Sequence, residues 1–378
     1  MLAARSKLTL HSLQMGVLRF LLAISVVLFH FGGQPTLMVG GGMAVQAFYV
    51  VSGFYMSLIL NEKYLGGSYV LYISNRLLRL YPLYLAVLLG SVGVFAIDTF
   101  WFSYPNPLEG IGAYSSNFSV GTWLYVVGSN LLIVGQDVSQ FLGLDAQSGV
   151  LYFTKTTSQT QPLVSSFMLI GQAWTIGIEI LFYLVAPFIV RKKVGYLLFF
   201  LLASLALRFF IYSVLGMKYA PWTNRFFPLE MAYFLLGSIC YKVYLIQKKW
   251  SVNRFFLQVC FATITIFTIC YSTIFAAITN SAMLQSILHA SYIGCFVGLL
   301  PFVFRLTAKN NLDRQIGELS YPIYLLHGLV LYLNARWQLN SLLFVLVVTV
   351  VLSVLLDRFL LQKIEIYRQK RTIAVPII

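Results

Sequence analysis

Six ionisable side chains sit in or beside stretches of sequence that are otherwise apolar: Arg19, His30, Arg76, Arg79, Glu179 and His327. In LRFLLAISVVLFHF, Arg19 and His30 are eleven residues apart, which on a helix is three turns plus ~20° and ~16 Å along the axis. One helix face then carries both a fixed cation and a base that titrates near neutrality. Glu179 follows Trp174 and precedes Tyr183 in AWTIGIEILFYL, and His327 comes after Ser320 and Tyr321 in ELSYPIYLLHG. Two imidazoles and a carboxylate at membrane depth suit an acid/base site in which the carboxylate orients an imidazole. They suit equally a proton relay in an exporter of a sugar or lipid-linked glycan. Taken singly, Arg19 also reads as a snorkelling side chain and His30 as an interfacial polar residue. Arg76 and Arg79, in SNRLLRLYPLY, lie one helical turn apart with Pro82 close behind. Planar guanidinium forks on one face suit phosphate recognition, although ordinary anchoring at the inner boundary is the simpler reading of the spacing alone. Arg208, Asp357 and Arg358 are expected to be structural, through salt bridges or snorkelling.

The elements that position these residues follow from composition. At 59% hydrophobic and 10% charged over 378 residues, with mean hydropathy +0.82, the chain is not a soluble globular domain, where about a quarter of residues are charged. Such a length holds roughly ten to twelve membrane-spanning helices and leaves no room for a separate soluble domain. The expected fold is an all-α polytopic membrane protein forming one membrane-embedded domain over 1–378. Apolar runs place ten spans near 15–31, 43–60, 77–97, 172–190, 194–215, 229–246, 255–278, 285–304, 319–335 and 341–361. An eleventh run, 121–135, is short and is expected to be re-entrant or interfacial.

Charge fixes the orientation of this arrangement. Cytoplasmic loops concentrate Lys and Arg, and ten spans with an inner N-terminus leave only Lys155, Lys218, Arg225 and Arg336 outside. A crossing at 121–135 would invert every later loop and erase that bias. Residues 98–171 then form one long outer segment, and both termini face the cytoplasm. The net charge of +15 is accounted for by this topology, so no nucleic-acid partner is expected. The N-terminal apolar run contains Arg19 and His30 and lacks a clear small-residue cleavage site, so it is read as a retained span. Cys240, Cys260, Cys270 and Cys295 show neither zinc-site nor disulfide spacing, and no metal is expected.

The order of these motifs resembles the integral-membrane acyltransferase family 3 over nearly the whole chain. Arg19 and His30 fit that family's Arg-ten residues-His signature. Gly41 to Phe54 resembles its glycine-rich second-span motif, ending in Ser52, Gly53 and Phe54. Arg76, Arg79 and Pro82 resemble its Arg-x-x-Arg element, and Trp174, Glu179, Phe182 and Tyr183 its Trp-Ser-Leu-x-x-Glu-x-x-Phe-Tyr motif. Arg225, Phe234 and Gly237, then Ser320, Tyr321, Tyr324 and His327, continue the series. Ala44, Tyr49, Asn75 and Thr175 depart from the pattern without removing a titratable group.

The resemblance implies an acyl-coenzyme A co-substrate, acetyl-CoA or succinyl-CoA, on the cytoplasmic side, and no permanently bound cofactor. It implies a carbohydrate or lipid-linked glycan acceptor outside, in a bacterial plasma membrane, with polysaccharide-synthesis proteins as candidate partners. His30, Glu179 and Arg19 would then be catalytic, with His30 as base, Glu179 orienting it and Arg19 lining the donor's path. Arg76 and Arg79 would hold the donor's phosphates, and Trp174, Arg225, Ser320, Tyr321 and His327 would meet substrate. No extracellular esterase-like domain is expected after the last span, which is the stand-alone form of the family.

Overall fold

The computed structural model describes residues 14–32, 37–64, 68–102, 104–156, 160–278 and 281–373. Arg5 and Lys7, counted above on the inner side, lie outside the described residues. The first three helices are α1 (Gly16–Gly32), α2 (Gly41–Glu62) and α3 (Tyr69–Ile97). The segment that follows holds α4 (Pro107–Ser115), α5 (Val120–Leu132) and a small antiparallel hairpin of β1 (Leu142–Leu144) and β2 (Leu151–Phe153), with Leu142 opposite Phe153. Then come α6 (Trp174–Ile189), α7 (Val194–Phe209), α8 (Phe227–Gln247), α9 (Arg254–Ala277) and α10 (Ala282–Thr307). The chain finishes with α11 (Asn311–Glu318), α12 (Ser320–Arg336), α13 (Leu342–Leu356) and α14 (Gln362–Ile373).

Among the described residues nine helical stretches are long and apolar enough to cross a membrane. With α1, whose 17 residues are near the lower limit for a span, they make the ten expected. Helix α5 is not one of them: its 13 residues rise ~20 Å against ~30 Å of hydrocarbon. It buries Thr122, Val126, Ser129 and Asn130 and turns Val120, Leu124, Val127 and Leu131 outward, the pattern of an interfacial helix.

Contacts between helix ends alternate as ten crossings require. At one end, here the basic end, Arg191 donates to the carbonyls of Leu60 (3.1 Å) and Tyr64 (2.6 Å), closing the C-terminus of α2. There Arg305 donates to the carbonyls of Gln247 and Trp250, both at 2.9 Å. At the same end the Asp313 carboxylate accepts from the Gly16 and Val17 amides (2.7 and 3.0 Å), so a side chain from α11 satisfies the first turn of α1. At the opposite, cap end, Arg336 and Tyr332 hold Asp98 at 3.0 and 2.7 Å.

Two boundaries differ from the hydropathy reading. Helix α3 begins at Tyr69, well before 77, because the Ser68 hydroxyl caps it by accepting from the Val70 amide (3.2 Å). Arg76 and Arg79 are therefore within a helix rather than at its mouth. The last span likewise continues through a π turn at 357–361 into α14, whose Arg368 and Arg371 are bonded to α3.

The centre of the bundle is held by backbone proximity. A Cβ on Gly53 would lie 1.9 Å from the Phe234 carbonyl oxygen, and one on Gly237 would lie 1.9 Å from that of Val50. Only glycine at both positions lets α2 and α8 approach so closely, and this contact sets the depth of Ser52.

Candidate active site

A cavity with about 760 Å³ of empty space, part of it open to solvent, lies between α1, α2, α3, α6 and α12. Arg19, Ser52, Arg79, Glu179, Ser320 and Tyr321 line it. Oε1 of Glu179 accepts two short hydrogen bonds, from Ser52 Oγ and from Tyr183 OH one turn along α6, both at 2.6 Å. Arg19, only 5% exposed, donates from Nη2 to Ser320 Oγ (2.8 Å), and that hydroxyl donates on to the Gly317 carbonyl (2.7 Å). Tyr321 OH donates to the Leu80 carbonyl (2.8 Å), fastening α12 to α3. The cavity thus presents a carboxylate and two guanidinium groups on walls fixed by charge-assisted bonds.

Arg76 is placed differently. It is one turn from Arg79, but it is 2% exposed, does not line this cavity, and faces the basic end beside α14. Of the two guanidinium groups, Arg79 lines the cavity and Arg76 does not, and both face Glu365.

Toward the cap end the two histidines meet. His30 is exposed and His327 is buried, and their ring centroids are 5.0 Å apart. His30 Nδ1 lies 2.9 Å from the Val26 carbonyl and His327 Nδ1 lies 2.7 Å from that of Tyr324. A carbonyl only accepts, so Nδ1 carries hydrogen in each neutral ring and Nε2 keeps its lone pair. Tyr324 links this pair to the cavity. Its ring is 5.7 Å from that of His327, and its hydroxyl lies 2.7 Å from Thr175 Oγ1 on the cavity wall.

The expectation that Glu179 orients His30 is corrected here. The nearest bonded partners of Glu179 are Ser52 and Tyr183, while His30 bonds the backbone and its ring lies tilted beside that of His327. Glu179 lines the cavity and the two histidines do not, because Glu179 projects from α6 toward α2 rather than toward the C-terminal end of α1.

On the cap side, Trp174 is covered by Arg225, whose guanidinium lies 4.4 Å from the indole centroid. Burial lowers Arg225 to about 10. Asp137, 5% exposed, is pushed up from the usual carboxylate range by burial, and its Oδ1 has no protein partner. Arg208 is the structural residue expected of it, bonded to Glu230 at 2.9 Å.

Sequence reasoning assigned no role to Ser52, Tyr324 or Asp137. Ser52 and Tyr324 carried a usable signal, since each stands in a named motif beside a titratable residue. Asp137 carried none, being one carboxylate in a long polar segment.

Fold and site together define a multi-pass membrane protein with a titratable polar centre among its helices. The model of the type 3 acyltransferase family, described as an acyltransferase domain, matches residues 13–358, so the chain belongs to this family of membrane acyltransferases. No curated protein and no solved structure matches it.

Proposed function

We propose that the protein transfers an acyl group, acetyl or succinyl, from acyl-coenzyme A to a hydroxyl of an exported carbohydrate or lipid-linked glycan. The observation that carries this reading is the series of polar stations across the bundle: Arg76 and Arg79, then Arg19 with Glu179, then the His30–His327 pair. A donor entering from the basic end, assigned to the cytoplasm, meets cations suited to phosphate first and bases last. A glycan arriving at the cap end meets an exposed imidazole whose Nε2 is free to take a proton. The membrane would be a bacterial plasma membrane, and polysaccharide-synthesis proteins are natural partners for delivering the acceptor.

In this reading His30 Nε2 removes the acceptor's hydroxyl proton as its oxygen attacks the thioester carbonyl. The carbon–oxygen bond forms, the carbon–sulfur bond breaks, and the imidazolium returns its proton to the departing thiolate. General-base assistance of this kind contributes roughly 10² to 10⁴ in rate. Arg19 and Ser320 bound the pantetheine path, and Tyr321 lies on its wall. Trp174 and Arg225 sit where the acceptor enters. Arg225 and Lys218 are cations available to a second carboxylate, which is what a succinyl donor would need.

The test is thiol release from acetyl-CoA and succinyl-CoA by the purified protein in nanodiscs with a glycan acceptor. Release by the wild type that disappears in folded His30→Ala supports acyl transfer. If folded wild-type protein consumes neither donor while His30→Ala still abolishes glycan modification in cells, the residues serve transport instead.

A further inference from the structure

Helix α14 lies beyond the last crossing, yet it is bonded to the interior of α3. Arg368 Nε donates to the Asn75 carbonyl (2.9 Å), and Arg371 donates to Asn75 Oδ1 (3.2 Å) and to Ser74 Oγ (2.9 Å). Asn75 Nδ2 in turn donates to Tyr64 OH (3.1 Å). These bonds bring Arg368 beside Arg76 and anchor Arg371 on Ser74 and Asn75, the two residues that precede Arg76. Although Arg76 is 2% exposed, its Nε and Nη1 have no protein partner.

The surrounding charge is one-sided. Lys63, at the end of α2, is held down to about 8 by burial and by the neighbouring Arg76 and Arg368. Glu365 of α14 is ion-paired with Arg368 and faces Arg76 and Arg79 as well. Glu318 of α11 stands farther along, facing Arg79 and Arg314. A buried guanidinium without an acceptor is costly, and crowding further cations around it raises that cost unless an anion joins them. Neither neighbouring carboxylate bonds Arg76.

We propose that α14 supplies half of a site for a multiply charged phosphate at the basic end, completed by Arg76 and Lys63. Glu365 is the internal counter-ion of this site, held by Arg368 until a phosphate takes its place. The inference rests on and deepens the donor reading above. The phosphate groups of coenzyme A have this chemistry, and so does an anionic lipid headgroup.

Equilibrium binding of coenzyme A to the full chain in phosphatidylcholine nanodiscs tests it, with Arg76→Gln, Arg368→Gln, Arg371→Gln and Glu365→Gln compared after thermal melting confirms folding. Losses of about tenfold in affinity for each arginine variant are expected, at roughly 1.4 kcal/mol per decade. For Glu365→Gln, which removes the competing carboxylate and keeps every arginine, a gain of several-fold is expected. If Arg76→Gln weakens binding while both α14 arginine variants and Glu365→Gln match wild type, α14 is no part of the site, and the donor reading stands without it. If wild type binds no coenzyme A, the donor reading fails. In that case phosphatidylglycerol nanodiscs supply the second arm: extra thermal stability that Arg368→Gln removes assigns the site to lipid, and equal stabilisation of both proteins overturns the proposal.

Discussion

Helix α2 and the last span, in which α13 runs on into α14, are both apolar enough to cross a membrane, but 83% of the most apolar stretch of α2 is buried inside the protein against 17% for the last span. The difference separates a ring of helices that faces lipid from a centre that faces polar groups. In the lipid-facing ring, several polar side chains find partners on their own or a neighbouring helix, while Thr265 Oγ1, Thr349 Oγ1 and Glu230 Oε2 are buried without a protein partner. Ser353 donates to the Thr349 carbonyl (2.7 Å), Thr268 Oγ1 lies 3.0 Å from Tyr292 OH, and Arg208 is bonded to Glu230. In the centre, Arg76 Nε and Tyr49 OH are buried without protein partners, and on the cap side so is Asp137 Oδ1. What distinguishes the centre is that ionisable groups from several helices, Arg19, Arg79 and Glu179, converge on one cavity.

The comparison can be broken by substitutions on each side of it. His30→Ala is expected to lower kcat by about 10² to 10⁴ with the fold retained, read from single-turnover acyl transfer and thermal melting together. A loss below tenfold would remove His30 from the chemistry. In the outer ring, Arg208→Gln leaves Glu230, whose side chain is 1% exposed, buried without its cation. The expected cost is about 3 kcal/mol of stability, with donor affinity unchanged once the protein is folded. A change in donor affinity of tenfold or more would erase the distinction between ring and centre. Glu179→Gln keeps the shape but weakens two charge-assisted bonds from Ser52 and Tyr183, and should reduce kcat/KM by about ten- to a hundredfold.

The smallest effect concerns Asp137. Burial raises its folded pKa, so the ionised form is penalised in the fold, and stability contributed by its neutral form is lost as pH rises through that value. Asp137→Asn should therefore raise the melting temperature at pH 8 and lose that gain at low pH, where the wild-type carboxyl is also neutral. Equal melting curves at both pH values would mean that the carboxylate is solvated.

Much of this was legible in the sequence because the membrane makes charge conspicuous. The ten spans follow from apolar runs, and the expectation that α5 does not cross follows from the charge bias that a further crossing would destroy. The positions of Arg19, His30, Glu179 and His327 within spans were visible for the same reason. Which of them touch was not visible. Periodicity puts Arg19 and His30 on one face of α1, but it contains no information on how α6 is rotated, and so did not reveal that Glu179 turns to Ser52. The reach of α14 was hidden too, since KIEIYRQKR has the composition of a solvated tail, and only its bonds to Ser74 and Asn75 make it part of the bundle.

The central claim is that donor and acceptor approach one buried path from opposite ends. Sealed vesicles with the protein in a single, protease-verified orientation test it, with impermeant acyl-CoA supplied only on the face carrying α14 and the glycan acceptor only on the other. Acylated acceptor should form in that arrangement and should fail to form when the two are exchanged. Product that forms only when donor and acceptor share a face would contradict the path across the bundle.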